Sequence, residues 1–327
     1  MSESAGLRLL RRSDLADLTV PPAEVVAAVE RAYRSLGEGR STNPAKLTVG
    51  GVHDRSVAYA MLGQDRDLGV VAMKTSYAFD PGRGREARRY TTTVLLYDDT
   101  TGAPIALLDA ARIGGLRTPA ASALLAREIL RPGARSVLVV GSGTQGRQAL
   151  PHLLAVNPQL DRLMLYGTHP DGIAAVRATL ADHHPGRELE LVTDPRAAAA
   201  EADLVLAVAG PGTKVAIEAA DLAPGSSVVL VGYGVAPSTL IEADRAVATS
   251  AAQMAITGQD MAGTDGLRPV DAELPDLITG RARARTADGE RIFAFNSGLV
   301  ITDIAVATLL ARRAIELGRG TEVALWT

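Results

Sequence analysis

The chain contains no cysteine among its 327 residues. That absence excludes disulfides, thiolate metal sites and a cysteine nucleophile together. It also suits a reducing compartment, so a cytoplasmic location is expected. Neither sign of charge is in marked excess, since the formal net charge is −3. Nothing therefore points to a nucleic-acid partner or to an anionic membrane surface. No apolar run reaches the roughly 18 residues of a transmembrane helix. The opening MSESAGLRLLRRSDLADL lacks a charged start followed by an apolar stretch and a small-residue cleavage site, so no secretory signal is expected. The histidines, His53, His152, His169, His183 and His184, fall in no HExxH pattern, and no metal is expected. His183-His184, followed by Pro185-Gly186, reads as a solvated helix end. There is no fixed-period repeat.

Apolar residues make up 47% of the chain. With this length they suggest two domains and a large core. The first part reads as α+β. Pro21-Pro22 leads into the amphipathic run AEVVAAVERAYRSLGEG, which ends at Gly37 and Gly39 as a helix should. Short β-like segments follow: AKLTVGG, SVAYAML and LGVVAMKTSYAF. TTTVLLYDDTTGAPIALLDA reads as two strands around Asp99-Thr100-Thr101-Gly102, and TPAASALLAREIL as a helix.

From Ser136 the texture changes. SVLVVGSG, RLMLYG, ELELVT, VLAVAG and SSVVLVGYG read as strands. QGRQALPHLLAV, DGIAAVRATLADH and AAAAEADL between them read as helical. This alternation argues for a parallel sheet with helices on both faces. GRARARTADGER (280–291) is polar and glycine-flanked, a loop. GLVITDIAVATLLARRAIELGRG is a long helix with an apolar face. Coming after the alternating region, it is placed to return to the N-terminal part. The expected architecture is α/β, with a doubly wound Rossmann domain inserted into an α+β domain built from both chain ends.

The loop Gly141-Ser142-Gly143-Thr144-Gln145-Gly146 lies between a strand and a helix, the setting that makes GxGxxG a dinucleotide signal. The first glycine permits the tight turn, the second lets backbone approach a pyrophosphate, and the third lets helix and strand pack closely. The helix N-terminus offers free N–H groups and partial positive charge. Thr144 and Gln145 begin that helix, and Val208 and Ala209 end a neighbouring strand, so these too are expected at the cofactor. At the end of the second strand, where an NAD site usually carries Asp or Glu, stand Gly167, Thr168 and His169, with no carboxylate before Asp171. Thr168, His169 and Arg147 are candidates to meet a 2′-phosphate. NADP is therefore expected, with NAD as the alternative.

Several segments together resemble the ornithine cyclodeaminase/μ-crystallin family. They are MKTSYAF with Lys74, the hairpin DDTTGAPIALLDA, GGLRTPAASALLAREIL with Arg117-Thr118, the loop GSGTQG and the tail FNSGLVITDIAVA. The resemblance implies a homodimer with a substrate-binding and dimerisation domain (1–118 and 297–327) around an NAD(P)-binding Rossmann domain (119–296). It implies a hydride moved between a nicotinamide and an amine or imine carbon beside a carboxylate. Carried onto this chain, it places Lys74 and Arg117 at the substrate. Arg117 fits a clamp on an α-carboxylate, and Lys74 either binds the carboxylate or transfers a proton. Thr118 is placed beside the nicotinamide or its phosphate. Lys74 sits in the apolar strand VVAMKTSY, where an unpaired charge is costly.

Three places depart from the family pattern. Gly234 stands where cyclodeaminases carry an aspartate that handles proton and water chemistry, so only backbone remains there toward substrate. Tyr59 and Met61, in SVAYAML, occupy the neighbourhood of a ligand-facing glutamate. Lys46 replaces an arginine that helps hold the carboxylate. Tyr59, Tyr233, Ser238 and Asp303 are candidate proton donors or relays. Asp303 reads equally well as a carboxylate aiding the dipole at the start of the final helix. The loop PGRGREARRY (81–90) carries Arg83, Arg85, Arg88 and Arg89, either a solvated loop or a steering patch for a polyanionic or dicarboxylate substrate. Three functions stay open. They are an NAD(P)H-dependent reductase or dehydrogenase of α-imino and α-amino acids, an ornithine or lysine cyclodeaminase of altered mechanism, and a non-catalytic NADPH-binding protein. The missing aspartate favours the first.

Overall fold

A computed structural model describes residues 6–50, 56–80 and 89–325. Its contacts divide the chain into two compact units. One comprises Met1–Val20, Arg31–Arg117 and Leu299–Thr327; the other comprises Pro21–Glu30 and Thr118–Gly298. No helix among the described residues is long and apolar enough to cross a membrane.

The first unit begins with β1 (Leu7–Leu10) and α1 (Arg12–Leu15). The helix α2 (Pro22–Gly37) carries residues of both units. Then come β2 (Ser41–Thr42), β3 (Leu47–Gly50), β4 (Ser56–Asp65), β5 (Val70–Phe79), β6 (Arg89–Asp98) and β7 (Pro104–Asp109). β3 to β7 form an antiparallel run, and β1 joins β7 in parallel. The register sets side chains in rows across the sheet, because directly paired residues share a face. One row runs Met61–Lys74–Val94, the next Tyr59–Ser76–Thr92. The Asp99–Gly102 turn forms as the sequence reads, with Asp98 Oδ1 accepting from the Thr100 and Thr101 amides at 2.8 and 3.0 Å.

The helix α3 (Ala111–Ile129) leads into the second unit. There β8 (Ser136–Val140), α4 (Thr144–Val156), β9 (Arg162–Tyr166), α5 (Pro170–His183), β10 (Glu190–Leu191), α6 (Pro195–Ala199) and β11 (Leu204–Ala207) alternate. They are followed by β12 (Ser227–Leu230), α7 (Ser238–Ile241), β13 (Arg245–Ala248), α8 (Ala251–Thr257), β14 (Ala272–Glu273), α9 (Leu274–Ile278) and β15 (Ile292–Phe295). The sheet order is β10-β9-β8-β11-β12-β15-β13-β14, parallel throughout. β8, β11, β12 and β15 are buried along their whole length, as strands covered on both faces must be. The chain runs outward from β8 to β10 and returns to β11, so the winding reverses between β8 and β11. That is where doubly wound sheets open a crevice at the carboxyl ends of the strands. Residues 280–291 contain no helix or strand, in keeping with the loop read from sequence.

The chain then re-enters the first unit with α10 (Val300–Glu316) and β16 (Thr321–Val323), which pairs antiparallel with β1. α10 covers one face of β4–β7, burying Ala72, Val94, Leu96, Ala106 and Leu108. The opposite face carries Leu47, Val49, Leu62, Met73 and Tyr77, each about half exposed or more. On it, Leu47, Val49, Ala58, Ala60, Tyr77 and the paired Thr75 and Thr93 help line a shallow cavity of about 390 Å³.

Candidate active site

In the second unit the glycine loop crosses the end of the β8–β11 crevice. The Gly141 amide donates to the Tyr166 carbonyl at 2.8 Å, and its φ of +118° is open to glycine and strained for other residues. A Cβ there would stand 2.8 Å from Ala209 Cα, and one on Gly146 would stand 2.0 Å from the Gly141 carbonyl oxygen. Gly143 is different. A Cβ on it meets nothing within 4 Å, so the space over the second glycine is open. Gly143 is also the N-cap of the 13-residue α4, with no side chain capping the helix, and Gly143 and Thr144 are exposed. An open approach and the positive end of a helix fit a pyrophosphate. The residues that would hold it are Gly141, Gly143, Thr144, Gln145 and Gly146, with Val208 and Ala209 alongside.

Exposed Thr168 and His169 follow β9, and His169 is the N-cap of α5. Gly167 and Gly172 allow this turn to lie against Ser142 of the loop, where a Cβ on either would come within 2.8 Å of its side chain. Arg147 is tied to α5 through Nε, which donates to Thr179 Oγ1 at 3.0 Å. Thr118 is buried, and its carbonyl accepts from Asn296 Nδ2 at 3.0 Å. Asn296 also donates to Ser122 Oγ at 2.8 Å. The sequence reading lacked both Asn296 and Ser142. The FNSG segment after an apolar strand was the signal for the first, and the position between two loop glycines for the second.

At the far side of the crevice, Ala209 and Tyr233 exchange backbone hydrogen bonds. Tyr233 keeps an exposed ring. Gly234 adopts φ +127°, and a Cβ on it would lie 3.0 Å from Val140 Cγ1. Gly234 brings no side chain to the crevice and follows a backbone that would strain one. Ser238, a candidate relay from the sequence, is hydrogen-bonded within the unit. It donates to Glu218 Oε2 at 2.6 Å and accepts from the Ala219 amide at 3.1 Å, tying α7 to the preceding loop.

The first unit gathers the charged candidates. Lys74, on β5, is buried among apolar neighbours and donates to Asp303 Oδ2 at 2.8 Å. Arg117, on α3, donates through Nε to Asp303 Oδ1 at 3.3 Å. Asp303 lies in the first turn of α10 and is fully buried, so it is at once a helix-start carboxylate and the shared anion of two cations. The residue that the sequence offered as a proton donor or relay is thus ion-paired to both cations. Lys46 stands with its ammonium 5.0 Å from the centre of the Tyr59 ring. Burial, with Arg117 and Lys74 nearby, holds Lys46 below the ordinary lysine range. Burial raises the Tyr59 phenol, and Tyr90 adds to the effect. Met61 is half-buried, directly opposite Lys74 in the sheet. Arg89 opens β6, whereas Arg83, Arg85, Arg88 and His53 lie outside the described residues.

The sequence profile of the ornithine cyclodeaminase/mu-crystallin family matches residues 9–317. Nodulation efficiency protein NfeD of Rhizobium meliloti is 28% identical over 326 residues, 98% of this chain and 99% of that protein. A Delta(1)-pyrroline-2-carboxylate reductase of Bacillus cereus is 25% identical over 312 residues, 92% of this chain and 94% of its own. Among solved structures, Thermococcus litoralis Delta(1)-pyrroline-2-carboxylate reductase in complex with NADH and L-proline has the same fold. Its TM-score is 0.83 at 23% identity, covering 97% of this chain and all of that one.

Proposed function

Because the chain belongs to the ornithine cyclodeaminase/mu-crystallin family, we propose that it is an NAD(P)H-dependent reductase. It moves a hydride between a nicotinamide and the imine or amine carbon of an α-imino or α-amino acid. The observation that carries this reading is the buried Lys74–Asp303–Arg117 cluster, a preformed cationic site in a chain that also has an open dinucleotide loop. Relatives named as reductases of a cyclic imino acid, aligned over 92% of the chain, support it.

The bound nicotinamide supplies the hydride; the chain's own residues bind and orient. Asp303 takes Nε of Arg117, so the terminal amino groups of the guanidinium are the ones to clamp an α-carboxylate. Asp303 also fixes Lys74, whose ammonium adds a second charge to that carboxylate. Orientation of an already electrophilic imine is most of what reduction demands. Gly234 weighs against cyclodeamination, since it brings no group able to move a proton. We take NADP as the preferred nicotinamide, on the support of exposed Thr168 and His169 where an acid would repel the 2′-phosphate. We take the chain to act as a homodimer joined through the exposed apolar face of β3–β5.

The test follows nicotinamide absorbance with a panel of cyclic imino acids and of oxo acids paired with amines. Turnover of at least one, reduced by about two orders of magnitude or more in Arg117→Met, is expected. Ammonia release from ornithine or lysine without net cofactor consumption would overturn the reading.

A further inference from the structure

At the carboxyl end of β12 one aromatic side chain stands on a backbone that is hydrogen-bonded at each residue. The Gly232 amide donates to the Ala207 carbonyl at 3.2 Å. Tyr233 and Ala209 exchange bonds of 3.0 and 3.1 Å, and the Gly234 carbonyl accepts from the Ile217 amide at 3.0 Å. Neither flanking glycine has room for a side chain. A Cβ on Gly232 would stand 2.5 Å from the Ala209 carbonyl oxygen, and one on Gly234 3.0 Å from Val140 Cγ1. Tyr233 alone of the three carries a side chain, and it is 41% exposed. A single exposed aromatic residue is ordinary. What distinguishes this one is where it stands and how firmly it is held.

Three neighbouring residues run across the crevice from the glycine loop to this ring. Gly141 follows β8 and lies against Ala209, which follows β11; a Cβ on Gly141 would stand 2.8 Å from the Ala209 Cα. Ala209 in turn pairs with Tyr233 beyond the end of β12. β8 and β12 are two strands apart, about 9–10 Å. A dinucleotide binds across such a crevice with its pyrophosphate at the glycine loop, and the adenosine ribose is met at the end of the second strand. That strand is β9, on the side of β8 away from β11. The nicotinamide half is therefore the one that extends over β11 and β12, and Tyr233 stands in its path.

We propose that Tyr233 is a nicotinamide contact whose ring packs on the nicotinamide and favours its oxidised form. Nicotinamide is neutral when reduced and cationic when oxidised, and an aromatic face attracts a cation. The pinned backbone offers that face without the cost of ordering a loop. The positive charge appears as hydride, with its two electrons, passes to the carbon of a protonated imine, which becomes the amine. A contact that favours the cation therefore favours that transfer too. The contact rests on the reading of the loop as a nicotinamide dinucleotide site, not on which imine is reduced. The test is calorimetric titration of the intact protein with the oxidised and the reduced dinucleotide. ADP-ribose or its 2′-phosphate, which lack the nicotinamide, serve as controls. Tyr233→Leu weakens the oxidised form relative to the reduced by about three- to thirtyfold and leaves the control ligand within about twofold of wild type. Its melting temperature stays that of the wild type, because the ring is exposed, and Tyr233→Phe retains the wild-type ratio. If Tyr233→Leu leaves the ratio unchanged, or weakens all the ligands alike, or if Tyr233→Phe loses the ratio, the inference is overturned while the cofactor reading stands. If the ratio moves as expected but no imine is reduced, the reductase reading falls and this inference stands. If the protein binds neither dinucleotide, both fall.

Discussion

Replacing Asp303 tests whether the cation cluster is a buried electrostatic unit. The carboxylate is fully buried, and its two oxygens serve Lys74 at 2.8 Å and Arg117 at 3.3 Å. The side chain of Lys74 is 9% exposed and that of Arg117 14%, so neither cation can recover its hydration in place. Removing one partner from such an arrangement costs about 3–5 kcal/mol, because the remaining charges are left uncompensated. Asp303→Asn keeps the shape and one acceptor, so it should lie near the lower figure. Asp303→Ala adds a cavity and should lie near the upper. Urea unfolding followed by far-UV circular dichroism measures both. Lys74→Met, combined with Asp303→Leu, should recover about 1–3 kcal/mol relative to the sum of the single changes, as expected for residues in direct contact. A loss below about 1 kcal/mol in Asp303→Asn, the scale of a solvated surface pair, would refute the argument.

Gly143→Ala should fold normally, because a Cβ there meets open space, yet weaken nicotinamide binding at least tenfold by fluorescence titration; Gly146→Ala, whose Cβ would meet the Gly141 carbonyl at 2.0 Å, should instead lower the unfolding midpoint. Gly234→Asp should destabilise by about 1–3 kcal/mol at its φ of +127° and confer no ammonia release from ornithine, as read by a thermal melt and an ammonia assay. Burial holds the His152 imidazole down to about 4 from its ordinary 6.5, so between these values the unfolded chain binds more protons than the folded one. Stability should therefore be flat above 6.5 and fall by about 3 kcal/mol as the pH drops toward 4, a slope that His152→Gln removes in urea titrations across that range. Leu47→Arg with Tyr77→Asp, both on the exposed face of the first sheet, should halve the mass seen by sedimentation equilibrium.

The two units were legible to different degrees, for a physical reason. In the second unit the signals are local. The central parallel strands β8, β11, β12 and β15 are buried on both faces and read as largely apolar runs, and the glycine loop follows β8 directly. Where strands are brief, periodicity fails: ELELVT contributes only the two-residue β10, and AAAAEADL is mostly outside the five-residue α6. The partner of Ser238, Glu218, is brought back by the Ile217↔Val235 bridge, a pairing no local pattern announces.

The first unit depends on long-range closure. A lysine inside VVAMKTSY requires an anion, and that requirement is visible in the sequence. Which anion answers it is not, since Asp303 lies 229 residues away and reaches Lys74 only when α10 packs on the sheet. The two readings of Asp303 then cease to compete. A carboxylate in the first turn of a helix is stabilised by the helix dipole, and the same placement points it into the sheet face that carries Lys74. Asp303 neutralises one positive charge of the three. The positive charge left on Lys46, Lys74 and Arg117 is the part of the site that the fold leaves for an anionic ligand.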